Sequence, residues 1–288
     1  MIHIDSDKCT KCGACIAVCP ALIIEKKNDV VTIAYPKSCI SCYHCVGVCP
    51  AGAVSCDEFP AGEFRKAADL KKPAPAELAG LLARRRSVRE FRNKEIPRAL
   101  IEEIIADAAH AASGHNDRSV NLSVITDKPL IDKLDRRIFR IFETIGGIAD
   151  NPLAKRLVKT FGGDKAADSF GTMLNDLCRF RDADDDRKLM IFRNAPALIV
   201  AHSSPSATTG KDDCVIFLDQ FNLAAETRGL GCTWIGFLVG AAKLDPTLKK
   251  PLGMPMKNSI HASMIFGWPK YKYPRTIPHD PPPVKWLE

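Results

Sequence analysis

Two cysteine runs hold the residues most able to do chemistry. One reads Cys9-Thr10-Lys11-Cys12-Gly13-Ala14-Cys15-Ile16-Ala17-Val18-Cys19-Pro20. The other reads Cys39-Ile40-Ser41-Cys42-Tyr43-His44-Cys45-Val46-Gly47-Val48-Cys49-Pro50. Both follow C-x2-C-x2-C-x3-C-P, and they repeat at an offset of thirty residues. Three thiolates two residues apart can wrap one iron–sulfur cubane in a tight loop, with backbone N–H groups turned toward its sulfurs. A fourth cysteine that opens a helix leading away reaches a second cluster. Zinc and disulfides are the rival uses of such cysteines. Tetrahedral zinc needs only one pair from each run. Disulfides need an oxidising compartment, and nothing in the sequence directs export.

The runs resemble those of bacterial two-cluster ferredoxins, including the proline after each last cysteine. That resemblance implies a crossed ligand set. Cys9, Cys12, Cys15 and Cys49 would hold one 4Fe–4S cluster, and Cys39, Cys42, Cys45 and Cys19 the other. Eight of the twelve cysteines are thereby used. Cys56, Cys178, Cys214 and Cys232 remain, with free thiols that pack as small hydrophobes the simplest reading. Cys232 lies in a candidate cofactor loop, where a functional role stays open.

The elements around these runs set the domain plan. Ile2-His3-Ile4 and Val30-Val31-Thr32-Ile33 have strand composition. The cluster module is expected over 1–56, and 57–75 reads as a linker rich in proline and charge. Fully extended, such a linker reaches at most ~65 Å, so its length does not fix which chain's partner group the clusters face. Helices are expected from Ala76 to Arg86 and from Pro97 to Ala112, the second with Leu100, Ile101, Ile104, Ile105 and Ala108 on one stripe. Strands are expected at Val120–Thr126, Pro196–Ala201 and Ile260–Phe266, and a long helix at Asp212–Arg228. Residues 130–190 read as mostly helical, with a polar break near Gly162-Gly163 and a charged stretch from Arg181 to Lys188.

Composition excludes several classes. The chain of 288 residues is 46% hydrophobic and 26% charged, as soluble globular proteins are. No apolar run approaches a membrane span. Met1-Ile2-His3-Ile4-Asp5 runs straight into the first cysteine motif, so no signal peptide is expected and the expected location is cytoplasmic. The formal charge is +7, but anionic clusters would offset it. Arg84, Arg85, Arg86, Arg89 and Arg92 concentrate it in one place, the pattern of a local anion site. The aromatic interleaving of single-strand binders is missing, so no nucleic-acid partner is expected.

Four further motifs, in order, resemble those of nitroreductase-family flavoproteins over about Ala76–Thr276. Arg85-Arg86-Ser87-Val88-Arg89-Glu90-Phe91 is similar to the family's opening R-R-S-x-R-x-F, whose guanidiniums offer forked donors to phosphate. Ala112-Ser113-Gly114-His115-Asn116 is similar to A-P-S-G-x-N, with Ala112 in place of proline and Asp117-Arg118 in place of glutamine and proline. Gly229-Leu230-Gly231-Cys232-Thr233-Trp234-Ile235-Gly236-Phe237 is similar to G-L-G-x-x-W-x-G, and Trp234 where a Rossmann turn needs its third glycine excludes that turn. Gly267-Trp268-Pro269 leading to Arg275 is similar to G-Y-P and a phosphate-binding basic residue, with Lys272 a competing candidate.

The resemblance implies an α+β chain: a ferredoxin-like two-cluster domain followed, over 76–288, by a nitroreductase-like sandwich that binds FMN at a homodimer interface. Its implied cofactor contacts are Arg85, Arg86, Ser87, Arg89, Ser113, Asn116, Ile235, Gly236, Phe237 and Arg275. His115 reads as a polar loop residue beside them, and no catalytic side chain is assigned. The expected activity is an oxidoreductase passing electrons from an external low-potential donor, ferredoxin-type or NAD(P)H, through two clusters to FMN and on to a small organic acceptor. Nitroaromatics, quinones and activated alkenes all fit. The alternatives are an electron-transfer or flavin-handling protein that docks a larger redox partner, and a redox sensor.

Overall fold

The structure, a computed structural model, describes residues 1–149 and 191–287. It comprises two compact units. The first is Met1–Ala74 with Gly114–Asp117, and the second is Pro75–Ser113 with Arg118–Glu288. No helix of the described residues is long and apolar enough to cross a membrane.

In the first unit, β1 (Ile2–Ile4) pairs antiparallel with β4 (Val54–Cys56), placing Ile2 opposite Cys56 and Ile4 opposite Val54. β2 (Ile24–Lys27) and β3 (Val30–Ile33) form a hairpin closed by Asn28 and Asp29 at φ 48° and 61°. Two consecutive positive φ values are the type I′ turn that two-residue hairpins prefer, and Asn and Asp tolerate it. Each cysteine run encloses a short helix, α1 (Ala14–Ala17) in the first and α2 (His44–Val48) in the second. The repeat extends to the backbone. Lys11 and Ser41 are left-handed at φ 58° and 51°, as are Gly13 and Tyr43 at φ 78° and 57°. Ile2, Ile23, Ile24, Val31 and Val54 form the core together with Cys15 and Cys45. β2 and β4 went unforeseen.

Residues 57–74, whose composition suggests a linker, cluster with this unit instead. Phe59 and Phe64 lie edge-on to Tyr43, with ring centroids 5.5 and 6.4 Å away, and Glu58 accepts the Tyr43 hydroxyl. These contacts hold a left-handed tyrosine in a conformation that costs a non-glycine residue about 1–2 kcal/mol.

The second unit is built on an antiparallel sheet ordered β5 (Asn121–Ile125), β6 (Ala197–Ser203), β8 (Ser259–Gly267), β7 (Gly231–Trp234). Every residue of β6 is buried, because helices cover both of its faces. Ala197, Ile199 and Ala201 pack with Ile104 of α4 (Arg98–Ala108) and with Leu218 and Phe221 of α6 (Gly210–Thr227). Leu198 and Val200 pack with Leu134 and Ile138 of α5 (Lys128–Ala149) and with Leu238 of α7 (Gly236–Leu244). The period-2 alternation of β6 thus feeds two cores, one on each side of the sheet. α3 (Pro75–Arg84) precedes the sheet and buries none of its residues fully.

Several bounds differ from expectation, and α3 stops at Arg84 rather than Arg86. α4 begins at Arg98, with Pro97 as its N-cap, and stops at Ala108 rather than Ala112. The helix α7 follows directly on Trp234-Ile235, where the sequence shows only a glycine-bearing loop. The Gly162-Gly163 break, the stretch Arg181 to Lys188 and Cys178 lie outside the described residues.

Candidate functional site

The first candidate site is set by the cysteine repeat. Cys9, Cys12, Cys15 and Cys49 line one cavity, with Ile4, Val31 and Val54 closing it. This is the crossed set, three cysteines from one run and the last from the other. The reason is local. Each short helix contains the third cysteine of its run and ends before the fourth, so the fourth follows the helix rather than opening one, and Ile23 and Ala53 then donate their backbone N–H to Cys19 Sγ at 3.5 Å and Cys49 Sγ at 3.3 Å. Ser41 N–H donates likewise to Cys39 Sγ at 3.4 Å. A second cavity, about 470 Å³, is lined by Cys39, Ser41, Tyr43, Ile23, Ile33 and Pro36 among others.

The donor set suits clusters better than single ions. Among the described residues no three His, Cys, Asp or Glu side chains converge tightly enough for one ion. A cubane spreads its irons over four corners and asks for sulfurs further apart. Burial pushes the Cys15 thiol up, and the Cys45 thiol up to about 11. Bare thiolates are disfavoured in such surroundings, and iron supplies the compensating charge.

The second candidate site is in the second unit, where three of the four later motifs meet. The arginine motif runs as a strap between the other two. On one side Ser87 bridges Cys232, Val88 N–H donates to Cys232 O at 3.0 Å, and Thr233 Oγ1 donates to Val88 O. On the other side Phe91 bridges Pro269, Arg92 N–H donates to Trp268 O at 2.8 Å, and Lys270 N–H donates to Glu90 O at 2.9 Å. Gly231 permits the approach: a Cβ there would lie 2.3 Å from Val88 Cγ2.

Two features of this strap fit an anionic cofactor. Arg86 donates Nη1–H to Arg85 O at 2.7 Å, but its Nε and Nη2 are buried with no hydrogen-bond partner among the described residues. A buried guanidinium with idle donors is a place for an incoming acceptor. A Cβ on Gly236 would meet nothing within 4 Å, so the start of α7 faces open space. Burial raises the carboxyl of Glu226 above its usual range, while Arg84, Arg85 and Arg86 pull it back. Arg193, a residue the sequence did not single out, sits at φ 49°; burial lowers its guanidinium, and Arg89 is near enough to lower it further.

The expected contacts are not all gathered. Arg85, Arg86, Ser87, Ile235, Gly236 and Phe237 share the neighbourhood of the strap and β7. Phe237 stacks edge-on to Phe142 at 5.2 Å between centroids. Arg89 and Arg275 are exposed, as is Lys272. Ser113 Oγ accepts the Arg118 N–H at 3.1 Å. Asn116 is turned elsewhere: its Nδ2 donates to Ile40 O at 3.2 Å and Ser41 O at 2.8 Å, within the first unit. His115 is left-handed at φ 51° in the same loop. Cys232 is fully buried and its thiol is pushed up by burial, and Cys214 is pushed up to about 12. Both pack as core residues. A cavity of about 520 Å³ beside Phe91, Arg92, Lys94, Lys128 and Asn194 contains none of the expected contacts.

The nitroreductase family matches residues 82–268, and a 4Fe-4S dicluster domain matches residues 8–54. A 4-nitrobenzoate reductase from Nocardioides sp. (strain LMS-CY) is 24% identical over 224 residues, covering 71% of this chain and 85% of the relative. A nitroreductase with bound FMN from Bacteroides fragilis shares the fold at TM-score 0.55 and 19% identity, over 74% of this chain and 99% of that one. A second, from Desulfitobacterium hafniense, does so at TM-score 0.55 and 20% identity, over 73% and 97%. The chain belongs to the nitroreductase family, with a 4Fe-4S dicluster domain ahead of its nitroreductase domain.

Proposed function

We propose that the chain is an iron–sulfur flavoprotein oxidoreductase, in which two 4Fe–4S clusters take electrons from a low-potential donor and FMN passes them to a small organic acceptor. The observation that carries this reading is the strap: the arginine motif lies between the Gly231–Trp234 strand and the Gly267–Pro269 turn, with two buried donors of Arg86 idle. Its guanidiniums suit a single phosphate, which favours FMN over a dinucleotide. FMN supplies the link between one-electron entry and two-electron delivery. The protein's own tasks are narrower. Arg85, Arg86 and Ser87 hold the anionic end, the N–H groups opening α7 face the ring, and Phe237 walls the site. Arg89 and Arg275 complete the set on ligand binding. Cys9, Cys12, Cys15 and Cys49 bind one cluster, and Cys39, Cys42, Cys45 and Cys19 the other.

A homodimer fits the same reading. Leu78 and Leu82 of α3 and Val215 and Ile216 of α6 are exposed, and soluble monomers rarely leave apolar faces bare. A cytoplasmic setting keeps the eight thiols reduced. Nitroaromatic carboxylates are the first acceptors to try, followed by quinones and activated alkenes.

The test is anaerobic reduction of purified holoprotein with reduced ferredoxin and, separately, with NAD(P)H, followed by that acceptor panel. Turnover of one acceptor class with FMN bound supports the reading. FAD in place of FMN, or no flavin after purification with added FMN, would refute it.

A further inference from the structure

We propose that Ser263 is a positioning residue for the flavin, acting through the peptide that joins Ile235 to Gly236. The proposal rests on the reading above, in which the start of α7 faces the FMN ring. Ser263 lies in the middle of β8 and is 1% exposed. Its hydroxyl donates to Ile235 O at 2.7 Å, and its own carbonyl accepts the Ile235 N–H at 2.8 Å. One residue therefore holds Ile235 from both ends.

The consequence falls on Gly236. The carbonyl oxygen of Ile235 and the N–H of Gly236 belong to one planar peptide unit, so fixing the direction of the first fixes the second, which points the opposite way. Accepting a hydrogen bond at the oxygen also polarises the unit and strengthens its N–H as a donor. Gly236 is the first residue of α7, and the N–H groups of a helix's first turn have no partner within the helix. Ile235, at φ −123° and ψ 91°, provides no side-chain cap for them. The space beside Gly236 is open. Ser263 thus holds a polarised donor, unused within its helix, toward the place where the reading puts the flavin ring. A donor there favours the electron-rich, reduced ring. Ser263 touches neither cofactor nor substrate in this scheme and acts only through the peptide.

A purely structural role predicts lost stability alone; a positioning role also predicts a shifted flavin potential. Anaerobic spectroelectrochemical titration of the FMN-loaded full chain separates them. Ser263→Ala is expected to bind FMN and to lose about tenfold in the reduction equilibrium, which for a two-electron couple is about 30 mV toward lower potential. Ser263→Thr, which keeps the hydroxyl, should restore the parent value. An unchanged potential in FMN-loaded Ser263→Ala overturns the proposal. If Ser263→Ala does not fold, Ser263→Cys, a weaker donor, takes its place with the same two outcomes. Gly236→Pro tests the underlying reading, because it deletes the N–H at a helix position that tolerates proline. No effect on potential or FMN affinity there would sink the flavin reading of this segment. A shift in Gly236→Pro with none in the Ser263 variants would sink the clamp alone.

Discussion

Cys49 lines the same cavity as Cys15, although it belongs to the other cysteine run. The crossing follows from the two short helices, each of which separates the last cysteine of its run from the first two. It predicts which variants share a phenotype. Cys49→Ala and Cys12→Ala should remove the same cluster's signal in electron paramagnetic resonance, and Cys19→Ala and Cys42→Ala the other's. Iron should fall from about eight per chain toward about four. Cys49→Ala grouping with Cys42→Ala would mean that each run holds its own cluster.

Arg86 offers a direct test of the anion site. Its Nε and Nη2 are buried without partners among the described residues. Hydrogen bonds to charged groups contribute about 1.5–3 kcal/mol each, so Arg86→Ala should weaken FMN binding about tenfold or more. Arg86→Lys should not restore it, because an ammonium lacks the planar fork. Flavin fluorescence titration reads both. Parent-like affinity in Arg86→Ala would place the phosphate elsewhere.

Gly231 tests the strap itself. A Cβ 2.3 Å from Val88 Cγ2 forces the strap off β7 or strains both, at a cost of about 1–3 kcal/mol for an overpacked site. Gly231→Ala should lower the unfolding free energy by that amount, read as an earlier denaturation midpoint, and weaken FMN binding with it. An unchanged midpoint would show that the strap is not packed against β7.

Acid should destabilise the second unit partly through His202. It is 4% exposed, its Nδ1 pairs with Asn258 Nδ2 at 3.0 Å, and burial followed by His261 lowers its imidazole below the usual 6.5. The unfolded chain takes up a proton as pH falls through 6.5, while the folded chain refuses it until a lower pH. Stability is therefore complete above pH ~6.5 and declines below it, by at most about 1.4 kcal/mol per pH unit for one such group. His202→Gln should flatten this acid limb in unfolding measured between pH 7.5 and 5.5. An acid limb of unchanged slope would assign it to other groups.

The sequence made much of this visible, and unevenly. The eight cysteines and the strap motif are local patterns, and local patterns survive without a structure. β6 showed itself because it is buried on both faces and so is apolar from Ala197 to Ala201. β2 stayed hidden because Glu25, Lys26 and Lys27 fill a half-exposed hairpin strand with charge. Phe59 and Phe64 were lost in a stretch whose prolines suggested a linker, because their partner Tyr43 is supplied by the fold. Ser263 was silent for the same reason: its partner, Ile235, lies 28 residues away. One signal was available. A serine amid the apolar run Ile260–Phe266 must find a hydrogen bond when buried.

In the proposed electron path the clusters serve the flavin. Its most direct test is anaerobic stopped-flow mixing of a reduced ferredoxin-type donor with the FMN-loaded chain, following flavin absorbance, for the parent and for a Cys12→Ala/Cys42→Ala double variant. Rapid flavin bleaching is expected in the parent, and bleaching no faster than free FMN in the variant. Chemically reduced FMN bound to the variant should still reduce the acceptor. Bleaching in the variant as fast as in the parent would mean that the clusters are structural or sensory and do not feed the flavin.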